Sequence, residues 1–136
     1  MFKLKKERIN QKKIDSGASG TVFPYQKDAD DLKWVVKRIH ADDADEVLNS
    51  LPEIVLGFSC DHPCIVPLKG YSIQKGSEGD YYVYLKFPRM KESLKKRFED
   101  QQRKKSPFTE QEIVQYFYSL VSAVGIYTKR RYIIET

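Results

Sequence analysis

The segment Lys13-Ile14-Asp15-Ser16-Gly17-Ala18-Ser19-Gly20-Thr21-Val22-Phe23 places two of the chain's seven glycines three residues apart. Glycines so spaced let a backbone fold closely over a ligand. Two phosphate-binding arrangements are excluded by the residues after them. A Walker A loop needs Gly-Lys and then Ser or Thr, whereas Gly20 is succeeded by Thr21-Val22. A Rossmann turn needs a helix straight after the glycines, its N-terminus on the pyrophosphate. Thr21-Val22-Phe23 is β-branched and aromatic and predicts a strand, so the loop joins strand to strand. Lys37, 17 residues after Gly20, ends an apolar strand, and Glu53, 16 further on, falls in a predicted helix. Other chemistry is poorly supplied. Cys60-Asp61-His62-Pro63-Cys64 offers two thiols and one imidazole, too few for a closed zinc site, and no metal is expected. With only His40 and His62, no Ser-His-Asp or Cys-His set can be assembled.

The elements that must position these residues are set by the pattern. Residues 8–16 and 20–26 form a hairpin around Gly17-Ala18-Ser19-Gly20. Trp34 to Ile39 is a strand, rich in β-branched residues. Ala41 to Leu48 is acidic and tolerates a helix. Ser50-Leu51-Pro52-Glu53 has the form of a helix start, in which Glu53 could close a capping box with Ser50; Pro63 ends that segment. Ile65–Ile73 and Tyr81–Phe87 read as strands joined by the turn residues Lys75 to Asp80. Lys91 to Gln102 is helical, and a capping box at Thr109 and Glu112 opens a helix running to Thr128. The order is five strands, one helix inserted after the third, then two helices: an α+β fold.

Composition bounds the rest. The 136 residues fit one domain, 40% apolar and 32% charged. No apolar run approaches the ~18 residues of a membrane span, and the first residues lack the apolar stretch of a signal peptide. With two cysteines and no export signal, a reducing, cytoplasmic setting is expected and no membrane partner. The net charge of +5 arises from 24 basic residues interleaved with 19 acidic ones. The short basic runs at 95–97, 103–105 and 129–131 read as solvated faces, and Tyr81-Tyr82-Val83-Tyr84 as a half-buried strand rather than a base-stacking platform. Nucleic acid is therefore not the expected partner.

Taken in order, Asp15-x-Gly17-x-x-Gly20-x-Val22, Trp34-Val35-Val36-Lys37, Glu53 and His62-Pro63-Cys64-Ile65-Val66 resemble the N-terminal half of the eukaryotic protein kinase family. That family carries G-x-G-x-x-G-x-V, V-A-I-K, a helix glutamate and a His-Pro-Asn-Ile-Val-like segment, and the register agrees along residues 8–128. The resemblance implies a kinase N-lobe over residues 1–90, a five-stranded antiparallel sheet with one helix. The first two helices of a C-lobe occupy 91–136. It implies ATP with Mg²⁺ as the cofactor and a protein substrate. The backbone of Gly17, Ala18, Ser19 and Gly20 would cover the phosphates. Lys37 would hold the α- and β-phosphates, and Glu53 would pair with Lys37, these two being the catalytic residues. Glu46 is the second candidate for that pairing. Val22 and Val35 would face the adenine. The hinge admits two registers. With Leu85 as the pocket-side residue, the N–H donor to adenine falls on Pro88, which has none. With Phe87 in that place, Pro88 offers its carbonyl and Met90 the donor. The second is preferred because it leaves no bond unmet.

Three departures qualify the resemblance. Asp15 replaces the first glycine of the loop and sets a carboxylate near a triphosphate. Val35 stands for alanine and narrows the adenine pocket. Tyr132 to Thr136 aligns with the strand leading into His-Arg-Asp, with Glu135 and Thr136 in place of histidine and arginine. Neither the catalytic aspartate nor Asp-Phe-Gly is present, so the protein ligands of Mg²⁺ are missing. The expectation is the N-terminal portion of a serine/threonine kinase that by itself binds ATP weakly and turns nothing over. The alternative is a non-catalytic half-kinase that regulates an intact kinase or another partner. The apolar stripe Ile113, Tyr116, Phe117, Leu120, Val121 and Val124 predicts a partner chain or self-association.

Overall fold

The computed structural model describes the backbone of residues 1–135 and the side chains of residues 1–130. The chain divides into two units, one formed by Met1–Asp61 and Val66–Arg89, the other by His62–Ile65 and the residues from Met90 onward. The first contains β1 (Asp15–Gly17), β2 (Gly20–Pro24), β3 (Trp34–Ala41), β4 (Gly70–Lys75) and β5 (Tyr81–Pro88). They make one antiparallel sheet in the order β1-β2-β3-β5-β4. The expected α+β class and five-stranded antiparallel sheet are present. Two helices rather than one come after β3: α1 (Ala44–Leu48) and α2 (Leu51–Ser59). Asp43 caps α1 by accepting the Glu46 N–H at 2.8 Å.

Three local expectations are corrected. The first strand of the hairpin covers only Asp15–Gly17, not residues 8–16. Pairing resumes at Ile9 with Tyr25, but six residues there span three of the partner. Asn10 is the cause: its side chain accepts the Lys12 N–H at 3.0 Å and turns the backbone out of the ladder. The strand expected over Ile65–Ile73 begins only at Gly70. Pro67 has no N–H for a ladder, and residues 62–65 form a turn in which Ile65 N–H donates to the His62 carbonyl. The Ser50–Glu53 capping box is not made; Ser50 is itself helical and its side chain caps nothing.

Opposite-facing residues build two separate cores. On the front of the sheet Val83 and Leu85 pack with Ile54 of α2 and Leu68, joined at the rim by Ile39, Val47, Tyr71 and Phe87. On the back Tyr25, Val36 and Tyr84 pack beneath Phe2, Leu4, Ile9 and Trp34. Val36, Val83 and Leu85 have no exposed surface.

The second unit holds α3 (Leu94–Arg103), capped by Ser93 accepting the Lys96 N–H, and α4 (Glu110–Glu135). The Thr109–Glu112 box forms in both directions, at 2.9 and 3.2 Å. Phe108 links the helices, stacked on Phe98 at 6.1 Å and edge-on to Tyr116 at 5.5 Å. The strand expected at Tyr132 is absent, because nothing after Gly125 breaks a helix and α4 continues through Glu135; Thr136 lies outside the described residues. Phe117, Leu120, Val121 and Val124 are all more than half exposed.

Candidate nucleotide site on the sheet

Register places the predicted residues. Asp15 pairs with Val22, Val22 with Lys37, Lys37 with Leu85 and Leu85 with Tyr71, so one row crosses all five strands. Directly opposed residues share a face, and so do residues two apart. Val35 and Phe87, themselves a pair, therefore lie on the same front face as Val22, Lys37 and Leu85.

Lys37 Nζ donates to Glu53 Oε1 at 2.8 Å. The helix α2 makes this possible: Ile54 enters the front core and leaves its neighbour Glu53 at the sheet edge of the helix. With its carboxylate on Lys37, Glu53 does not serve the capping box. Glu46, the other candidate, accepts the Asp42 N–H at 2.8 Å, just ahead of its own helix, and is engaged there. The lysine side chain is 16% exposed and the glutamate 42%. A pair that open to water contributes about 0.2–1 kcal/mol to stability. The carboxylate takes one of the ammonium's three donors.

The two loop glycines differ. Gly20 has φ +130°, and a Cβ there would lie 2.7 Å from the Arg38 carbonyl oxygen and 3.2 Å from Ile39 Cγ1. Both backbone conformation and the closeness of β3 require glycine. Gly17 has neither reason: nothing lies within 4 Å of the place a Cβ would occupy. Glycine in a strand costs about 0.5–1 kcal/mol relative to alanine, and this fold gains nothing from it. Between them stand Ala18 and Ser19, a two-residue turn. Asp15 Oδ1 accepts the Ser16 N–H at 2.8 Å, which withdraws that amide from any other acceptor. Across the tip Ser16 and Thr21 hydroxyls meet at 3.3 Å.

The protein kinase domain family matches residues 9–133, 125 of the 136 residues. The chain belongs to the protein kinase family. No curated protein matches it. The match thus extends over residues of both units, and the five-stranded sheet of the first unit is consistent with a kinase-like N-lobe. Among the sites expected from the motifs, Val22, Val35, Lys37, Glu53, Leu85 and Phe87 are gathered on one face, with Gly17 to Gly20 at the hairpin tip. Leu85 lies wholly in the core under α2 and presents no surface, whereas Phe87 is partly exposed. Pro88 closes β5 opposite Trp34 on the other face, and the Arg89 N–H donates to the Lys33 carbonyl at 2.9 Å. Met90 belongs to the second unit.

The motifs gave no warning of a second lysine site. Lys86, on the back of β5, lies over the rings of Trp34 at 4.3 Å, Tyr25 at 5.6 Å and Phe2 at 5.7 Å. Its signal was the alternation of β5, which puts Lys86 opposite in sense to Leu85 and Phe87, but the rings come from three distant segments.

Proposed function

We propose that this kinase chain binds ATP against the Lys37 face of its sheet, as the nucleotide-holding part of an enzyme that phosphorylates serine or threonine hydroxyls of proteins. The observation that carries the reading is the Lys37–Glu53 contact at 2.8 Å, on the face that also presents Val22 and Val35. Glu53 fixes the ammonium, which keeps two donors for phosphate oxygens as a point charge. Gly17 lets a phosphate approach the backbone where any side chain would stand in the way. Val22, Val35 and the exposed part of Phe87 offer apolar contact to a base. β5 stays in its ladder with β3 through Pro88, which favours Phe87 as the last pocket-side residue. Bound ATP supplies the phosphoryl group to be transferred, and Mg²⁺ would accompany it. The 136 residues contain neither His-Arg-Asp nor Asp-Phe-Gly, the groups that orient the acceptor and hold metal in this family. By themselves they hold nucleotide and do not turn it over.

A thermal-shift series with Mg-ATP tests this. The wild type should be stabilised by roughly 1.4 kcal/mol when ATP reaches ten times its Kd, while Lys37→Met should gain at most about 0.4 kcal/mol at the same ATP concentration. An unresponsive wild type would overturn the proposal.

A second reading, a docking role through α4, is favoured by the exposure of Phe117 (68%) and Tyr118 (72%). It predicts concentration-dependent association in light scattering that Phe117→Ser abolishes; a monomer at all concentrations, with no retained partner, would remove it.

A further inference from the structure

The chain's net charge of +5 resides in one stretch. Residues 1–13 hold Lys3, Lys5, Lys6, Arg8, Lys12 and Lys13 against the single acid Glu7, and the rest of the chain carries 18 residues of each sign. That stretch is fixed in place. Phe2 N–H donates to the Tyr71 carbonyl at 3.0 Å, and its ring fills the space left by Gly70, where a Cβ would come within 2.7 Å of it. Lys5 N–H donates to the Tyr25 hydroxyl at 3.1 Å. Asn10 N–H donates to the Pro24 carbonyl, and the Arg8 carbonyl accepts from Gln26. The stretch therefore runs over the back of the sheet from β4 to β2, three strand spacings or about 15 Å.

Its side chains are sorted by this docking. Phe2, Leu4 and Ile9 pack on the back core, and Lys3, Lys5, Lys6, Lys12 and Lys13 are exposed. Arg8 is partly buried near Asp31, whose carboxyl is held below its usual range first by the Lys27 backbone N–H and in small part by Arg8. Among the described residues none of the five lysines is in an ion pair. Five exposed like charges within thirteen residues repel one another, and an anionic partner would relieve that repulsion.

We propose that this strap is a docking surface for an anionic lipid bilayer. The charges are lysines, compact point charges without the fork that reads individual phosphates or carboxylates. Lys3, Lys5 and Lys6 are spread along the segment that crosses the sheet, as suits a plane of headgroups. The ring of Phe2 is turned inward onto Tyr25, 6.0 Å between centroids, and leaves no platform on which bases could stack. Exposed apolar side chains, Met1 (82%) and Ile14 (48%), flank the lysines, the combination that suits a membrane–water boundary. No helix among the described residues is long and apolar enough to cross a membrane, so the attachment is peripheral.

The test is co-sedimentation of the whole chain with vesicles of phosphatidylcholine alone or mixed equally with phosphatidylserine. Binding to the mixed vesicles only, released as salt rises, is expected. Lys3→Gln/Lys5→Gln/Lys6→Gln should weaken it on the order of a hundredfold, at about fivefold per lysine. Unchanged emission from Trp34, the single tryptophan, verifies that this variant is folded. Lys95→Gln/Lys96→Gln/Lys104→Gln, which removes the same number of charges from α3 and its C-cap, should change binding less than fivefold or so. The proposal fails if the wild type does not pellet or binds both vesicles equally. It also fails if the α3 variant loses as much as the strap variant, or if poly-uridylate binds more tightly than the mixed vesicles at equal salt.

Discussion

The two faces of the sheet treat a lysine in opposite ways. On the back, the Lys86 ammonium is enclosed by Trp34, Tyr25 and Phe2, so its charge holds the leading segment to the sheet. On the front, Lys37 meets one oxygen of a half-exposed glutamate and keeps two donors over. The hairpin tip repeats the contrast, since Gly20 is required by the fold and Gly17 is not. A residue whose environment accounts for it is structure. One that is positioned but left with capacity to spare supports the proposed nucleotide site.

The glycine pair offers the sharpest way to break that contrast. Gly20→Ala should lower unfolding stability by about 1–3 kcal/mol, because a left-handed φ and a backbone carbonyl 2.7 Å away both oppose a methyl group. Gly17→Ala should leave stability unchanged or raise it by about 0.4–1 kcal/mol. Urea melts of both variants measure this, and equal losses would remove the distinction. The lysine pair comes next. Lys86→Met should cost about 1–2 kcal/mol and alter Trp34 emission. Lys37→Met should cost less than about 1 kcal/mol and leave that emission alone. Smaller again is Asp15→Gly, which frees the Ser16 amide and removes a negative charge. It should tighten Mg-ATP about fivefold, read by titration calorimetry, for roughly 1 kcal/mol of repulsion at high dielectric.

The smallest effect concerns acid. His40 Nε2 bonds Asp80 Oδ2 at 2.9 Å, and this bond, more than any other cause, holds the Asp80 carboxyl below its ordinary range. A carboxyl whose folded pKa lies below its unfolded value adds stability above the unfolded pKa of about 3.9 and loses it as pH falls through the folded value. Asp80→Asn should thus be slightly less stable at neutral pH, with the difference from wild type vanishing in strong acid. Melting curves across that range check it.

Much of the front face was legible in the sequence because its signals are local. The β-branched run at 34–39 set β3, and the two-residue period then fixed Val35 and Lys37 on one side. Glu53 was recoverable only from family spacing, since its local context, Ser50-x-x-Glu53, argues equally for a cap. The choice between those roles is made by Ile54, which enters the front core and turns the helix. The irregular stretches at 10–13 and 65–69 were misread as strand because one Asn side chain and one proline outweigh the apolar pattern around them. The aromatic enclosure of Lys86 was illegible, its rings being brought together by the sheet register and by the docking of Phe2.

The proposed site depends on Lys37, fixed by Glu53, meeting the phosphates of ATP. Equilibrium titration of Mg-ATP against the wild type and Lys37→Met tests it most directly. Saturable binding by the wild type is expected, with a loss of about ten- to a hundredfold in the variant, the equivalent of about 1.5–3 kcal/mol for a charged hydrogen bond. Equal affinities for the two proteins would contradict it.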